Sequence, residues 1–160
     1  MKTRYLKIIT GMALGTVLEL TVAPISAFAQ SAQEQRGIEG VWDARISVVQ
    51  CDTGKVISTG GRAMLMFING GGLTVINPDF RRTTSLGTWR HLRGRNYTAV
   101  NRFFTFNADD SFAGTQATTV DIDLSSNADE YTATATFEFF DPADQLIRTG
   151  CATSTATRFE

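Results

Sequence analysis

The sequence predicts an all-β protein, an eight-stranded antiparallel up-and-down barrel. Three observations lead there. From Gly40 onward, short runs rich in Val, Ile, Thr, Phe and Tyr alternate with clusters of Gly, Asn, Asp and Ser. No stretch carries the apolar period of a helix. The eight runs are joined by short connections, so a meander is the simplest order, and closing it removes the two edges an open sheet would expose.

The runs are these. Strand 1 covers 41–51 and ends at the turn Asp52-Thr53-Gly54. Strand 2 covers 56–68, and Gly60-Gly61 inside it signals a bulge or bend. Asn69-Gly70-Gly71-Gly72 is the clearest hairpin signal in the chain. Strand 3 (73–77) is followed by the longer loop 78–85. Strands 4 (86–92) and 5 (96–106) flank the turn Arg93-Gly94-Arg95. Turns at 107–110, 125–129 and 141–144 lead into strands 6 (112–124), 7 (130–140) and 8 (146–159). Strand 7 alternates cleanly: Tyr131, Ala133, Ala135, Phe137 and Phe139 against Thr132, Thr134, Thr136 and Glu138. One face is therefore buried and the other wet. In strand 6, Phe112, Gly114, Gln116, Thr118, Val120, Ile122 and Leu124 share a face.

Residues 1–29 read as a secretory signal peptide. Lys2, Arg4 and Lys7 are the positive end, 8–18 the apolar run, and Ala27-Phe28-Ala29 the cleavage site. A membrane anchor would need about 20 apolar residues, and Glu19 and Pro24 interrupt this stretch. The expected product is exported, periplasmic or secreted, with no membrane span after cleavage. Residues 30–39 read as a flexible leader and 40–160 as the barrel domain. Cleavage leaves 12 basic and 15 acidic residues. A mildly acidic domain has no electrostatic reason to seek nucleic acid. Cys51 and Cys151 are the only cysteines. In an oxidising compartment an internal disulfide is expected; two buried thiols or an intermolecular link are the alternatives. Two cysteines and the lone His91 do not make a zinc set, so neither metal nor cofactor is expected.

Gly40-Val41-Trp42 opens strand 1, and Arg158 lies near the end of strand 8. In this the chain resembles the lipocalin or calycin superfamily. The resemblance implies that Trp42 plugs one end of the barrel with Arg158 stacked over it, a cation–π contact. A second Gly-x-Trp occurs at Gly87-Thr88-Trp89, and the lipocalin signature between strands 6 and 7 and the C-terminal helix are missing, so the likeness is to the barrel. The run from Gly150 to Phe159 also resembles the end of a group of uncharacterised exported bacterial proteins, which implies no activity.

No Gly-x-Ser-x-Gly, His-Glu-x-x-His or phosphate-binding loop is present. Asp121 and Asp123 read as solvent-facing charges. Arg81, Arg82, Arg90, Arg93, Arg95 and Arg102 crowd a stretch without acids. They read as solvated charges, with anion recognition by Arg81 and Arg82 at the mouth of a cup as the functional alternative. Strand 5 has two possible registers. If a bulge at Asp110 sets Phe106 against Phe112, then Arg102 faces Gln116 inside the barrel. A one-residue slip turns Arg102 to solvent and points Trp89, His91, Tyr97 and Asn101 inward. The candidate ligand-binding residues are therefore Arg102, Gln116, Trp89, His91 and Tyr97. By the first register's turn geometry, Glu138 and Arg148 would pair on the wet face.

An apolar cavity with a few polar groups is the usual form of a small-molecule site. The expected function is binding or carriage of a small apolar or amphipathic molecule. Two rivals stand beside it. A cofactor-free isomerase or cyclase needs an ionisable group in the cup, for which Arg102, His91 and Tyr97 are the candidates. A secreted interaction or inhibitor protein needs a filled core and a protruding 78–85 loop.

Overall fold

The computed structural model describes residues 36–159. The expected signal peptide, and residues 30–35 of the expected leader, lie outside them. Eight strands follow in chain order: β1 (Gly40–Val49), β2 (Val56–Ile68), β3 (Gly72–Ile76), β4 (Ser85–Arg93), β5 (Asn96–Phe106), β6 (Phe112–Leu124), β7 (Glu130–Phe140) and β8 (Leu146–Arg158). Each pairs antiparallel with the next, and β1 pairs with β8, so the sheet is a closed up-and-down barrel. The seam between β1 and β8 runs from Trp42 opposite Arg158 to Val49 opposite Cys151.

The turns follow their residues. Gly70 and Gly71 both have positive φ, 93° and 94°, a conformation that L side chains resist, and the β2–β3 hairpin closes there. Asp110, Ala128 and Asp144 take left-handed backbone near φ 60°. Each ends a turn of the type I plus left-handed residue kind, with hydrogen bonds such as Asp110 N–H to Asn107 O at 3.2 Å. The register of β1 with β2 shifts between the pairs Ile46–Gly61 and Val48–Ser58, where the adjacent glycines signalled a bulge.

Bulges decide which residues enter the barrel. The β5–β6 turn does set Phe106 opposite Phe112, but Thr105 pairs with Gly114, leaving Ala113 as an extra residue. Gly114 has φ 125°, and a Cβ there would lie 2.0 Å from the Phe140 carbonyl oxygen. The extra residue moves every later pair by one. Arg102 therefore faces Ala117 on the outer wall, and Phe103 faces Gln116. Arg102 stacks outside on Phe140 at 5.6 Å. This corrects the interior placement of Arg102. Phe112 likewise turns outward, against Phe104 at 5.8 Å. The same step recurs between β7 and β8: Phe140 pairs with Leu146 and Phe139 with Arg148, skipping Ile147. Glu138 then faces Thr149, so the expected Glu138–Arg148 pair does not form.

Cys51 and Cys151 form a disulfide across 100 residues, with Cα atoms 5.2 Å apart. It ties the β1–β2 loop to β8 at the rim opposite Trp42. Replacing both cysteines with alanine is expected to lower the unfolding free energy by about 2–5 kcal/mol, the usual loss for a long closed loop. Urea denaturation of the oxidised protein and the double variant measures this; equal midpoints would mean the crosslink constrains nothing that the paired seam does not already hold.

Candidate functional site

The two ends of the barrel differ. The Trp42 end is filled. Trp42 and Ile38 are fully buried, and Phe67, Leu124 and Tyr131 nearly so. Trp42 packs on Tyr131 with ring centroids 4.9 Å apart, and Phe67 sits edge-on to Trp89 and Tyr131. The indole N–H of Trp42 donates to Ile38 O at 2.8 Å. Ile38, within the expected leader, is therefore part of this plug.

Arg158 locks the plug. Its guanidinium lies 4.2 Å above the Trp42 ring. It donates to Ala128 O at 2.9 and 2.7 Å, to Gly37 O at 2.8 Å, and to Glu39 O. The side chain is 6 % exposed, with Asp129 3.8 Å from Nε. Burial pulls its pKa down, and the nearby Arg36 charge does so too; an arginine nevertheless stays protonated. A buried charge needs such partners.

Three candidate residues belong to this end. Tyr97 is buried, 5.9 Å from Trp89 between ring centroids. Trp89 donates its indole N–H to Ile68 O at 2.9 Å. His91 is exposed, stacks on Tyr97 at 4.8 Å, and donates from Nε2 to Gly94 O at 2.8 Å. All three are on the inward register, as the slipped alternative had it, but Trp89 and Tyr97 pack in or against the plug and His91 lies exposed at its edge.

The other half is hollow. A cup of about 470 Å³ opens toward the disulfide rim. Its wall is apolar in the main, with Ile46, Val48, Leu65, Val75, Val120, Ala135 and Ala152, and Tyr131 also lines it. Space exists because β7 and β8 place alanine and glycine inward where larger residues would fill it. Burial pushes the Tyr131 phenol well above its ordinary pKa.

One cross-strand row carries several of the polar groups of the cup. Phe103, Gln116, Phe139 and Arg148 are successive cross-strand partners over β5 to β8. Ser85 precedes Leu86, the partner of Arg102, and so continues the row onto β4. Ser85 Oγ and Gln116 Oε1 are buried without hydrogen-bond partners, while Gln116 Nε2 donates to Thr118 Oγ1 at 3.3 Å. Arg148 lies 3.9 Å over the Phe139 ring, and Arg82 lies 5.4 Å over Phe103. Arg82 also meets Asp79 at 3.1 Å through Nε. Of the candidate ligand residues, only Gln116 lines the cup; Asn101 lines it too, deeper by one inward position. Ser85 and Arg148 escaped sequence reasoning, because the second bulge hides the inward turn of Arg148.

A larger hollow of about 600 Å³ crosses the outer face, among Arg45, Asp121, Asp123 and several threonines. None of its side chains is left buried and unpaired, so the cup is the better candidate. Among the described residues, no three His, Cys, Asp or Glu side chains gather as a metal site. The fold and site define a closed β-barrel with one plugged end and one open cup. Comparison with protein-family models, curated proteins and solved structures gives no match.

Two outcomes test the plug. Arg158→Met is expected to cost about 2–4 kcal/mol in chemical denaturation, since it strands buried carbonyls and removes the cation–π contact. Both Tyr97 and Tyr131 hold their protons more tightly folded than free, through desolvation. Stability should thus be intact below about pH 10, where a free tyrosine stays protonated. Above it the unfolded state loses protons first and stability should fall. Denaturation midpoints at about pH 8 and pH 11 should show a smaller alkaline loss in Tyr131→Phe; an unchanged loss contradicts the assignment.

Proposed function

We propose that this protein binds and carries a small apolar or amphipathic molecule in the cup. The observation that carries the reading is a hollow of about 470 Å³ with an apolar wall and unpaired buried polar atoms. Its volume falls within the usual range for small-molecule sites, roughly 300–1,000 Å³. At about 30 Å³ each it has room for on the order of 15 waters; displacing them from an apolar wall is the driving force. The Trp42–Arg158 closure supports describing the barrel as lipocalin-like. The disulfide and the signal-type N-terminal sequence support an exported protein, periplasmic or secreted.

The rival readings fare less well on the same residues. An isomerase or cyclase needs an acid–base group in the cup. Of its three candidates, Arg102 is on the outer wall, His91 is at the far end, and Tyr97 is in the plug; the phenol that does line the cup, Tyr131, is pushed up by burial, away from the range of a base at neutral pH. An interaction protein with a filled core does not agree with the hollow, although Phe80 on the 78–85 loop is 86 % exposed.

Calorimetric titration of octanol into the oxidised protein is expected to show one saturable site. Ala152→Phe, which puts a ring into the cup from β8, is expected to abolish it while leaving the fold intact by circular dichroism. Binding that survives this substitution would place the ligand elsewhere.

A further inference from the structure

The cup contains charge of one sign only. Among its lining residues the ionised side chains are Arg82 and Arg148, and no carboxylate lines it. The two guanidiniums come from different sides of the mouth, one from the β3–β4 loop and one from β8. Each rests on an aromatic ring of the cup wall, Phe103 and Phe139. Those rings flank Gln116 in the same cross-strand row. Stacking holds a guanidinium flat and leaves its N–H edge free to donate. Among the described residues Arg148 has no ion pair, and Arg82 has Asp79 alone.

Gln116 adds the second, independent sign. It is 7 % exposed, lines the cup, and leaves one half of its amide without a partner. Thr118 Oγ can accept from the amide nitrogen or donate to the amide oxygen. Turning the amide end over end therefore keeps the Thr118 bond and offers N–H to the cup. Ser85 Oγ, buried in the same row, can also donate. Two guanidiniums, an amide and a hydroxyl then form a set of donors with no acceptor group that must stay one. Such a set suits a compact oxyanion, and charge-assisted hydrogen bonds are the strong ones. Deeper in the cup Leu65, Val75, Val120 and Ala63 make most of the wall, with the neutral side chains of Asn101, Thr118 and Tyr131 among them.

We propose that the cup selects an anionic amphiphile, with its carboxylate on the row of Ser85, Gln116 and Arg148 beneath Arg82, and its apolar chain directed inward toward Tyr131. The inference rests on the carrier reading and names the ligand class for that site.

Octanoate, octanol and octylammonium share one chain and differ in head group. Calorimetric titration of each into the oxidised protein is the test. Octanoate is expected to bind at least about tenfold more tightly than octanol, the ratio a single charge-assisted hydrogen bond supplies, and octylammonium more weakly than either. Arg148→Gln, on an exposed side chain, should bring octanoate to the octanol value and leave octanol unchanged. Gln116→Met, which keeps the volume and removes the amide, should also narrow the octanoate advantage. Equal affinity for octanoate and octanol, or full octanoate affinity in Arg148→Gln, overturns the head-group assignment while the carrier reading stands. If none of the three binds, the carrier reading falls and this inference falls with it.

Discussion

The Arg158 guanidinium, 4.2 Å above the Trp42 ring, joins three separate parts of the chain at one end of the barrel. It reaches the segment before β1 through Gly37 and Glu39, the β6–β7 turn through Ala128, and β1 itself through the indole. The carbonyls it satisfies have no ladder partners of their own at this end. A lysine could not replace it, because only a planar fork meets several acceptors while lying flat on a ring. With that end closed by Trp42, Ile38, Phe67 and Tyr131, apolar burial concentrates there. The other half is then free to stay hollow without costing the fold its core.

The asymmetry has a simple origin in side-chain size. Near the plug the small inward residues Ala44, Ala133 and Ala156 are covered by Trp42, Tyr131, Phe67 and Leu124. Inward positions on β7 and β8 toward the mouth include Ala135, Ala152 and Gly150. Gly150 is constrained by its neighbour, since a Cβ there would lie 2.3 Å from the Phe137 ring. Phe137 leans over the glycine, so one large and one absent side chain shape the wall together. The row above, Phe139 under Arg148, repeats the pattern of a ring carrying its cross-strand neighbour.

Much of the fold was legible because strands of period two and turns rich in glycine and aspartate carry local signals. The strand limits to within two residues, the meander and the meeting of Trp42 with Arg158 all follow from such signals, and so does the proximity of the cysteines. The cup was harder to read. Ala113 and Ile147 are ordinary residues in strand-like runs, yet each is an extra residue in its ladder. A bulge of this kind exchanges inside for outside, which moved Arg102 out and Arg148 in. Gly114 was the available hint, as a glycine within a strand often marks a bulge. Nothing comparable marks Ile147. Trp89, His91 and Tyr97 were legible as inward residues, but their depth depends on how the plug fills, which is a tertiary matter.

The seam between β1 and β8 is the one ladder whose partners are far apart in sequence; every other ladder belongs to a hairpin. Its ends lie together, with Phe159 N–H donating to Val41 O at 2.8 Å. The seam is thus a hairpin that lacks only its connecting turn. In a ring of this kind no strand is intrinsically first or last. The place where the chain is cut matters less than the order of neighbours around the circle. Joining the two ends and opening any other turn would keep all eight ladders and move the single non-local closure, with its loop entropy, to a different pair of strands.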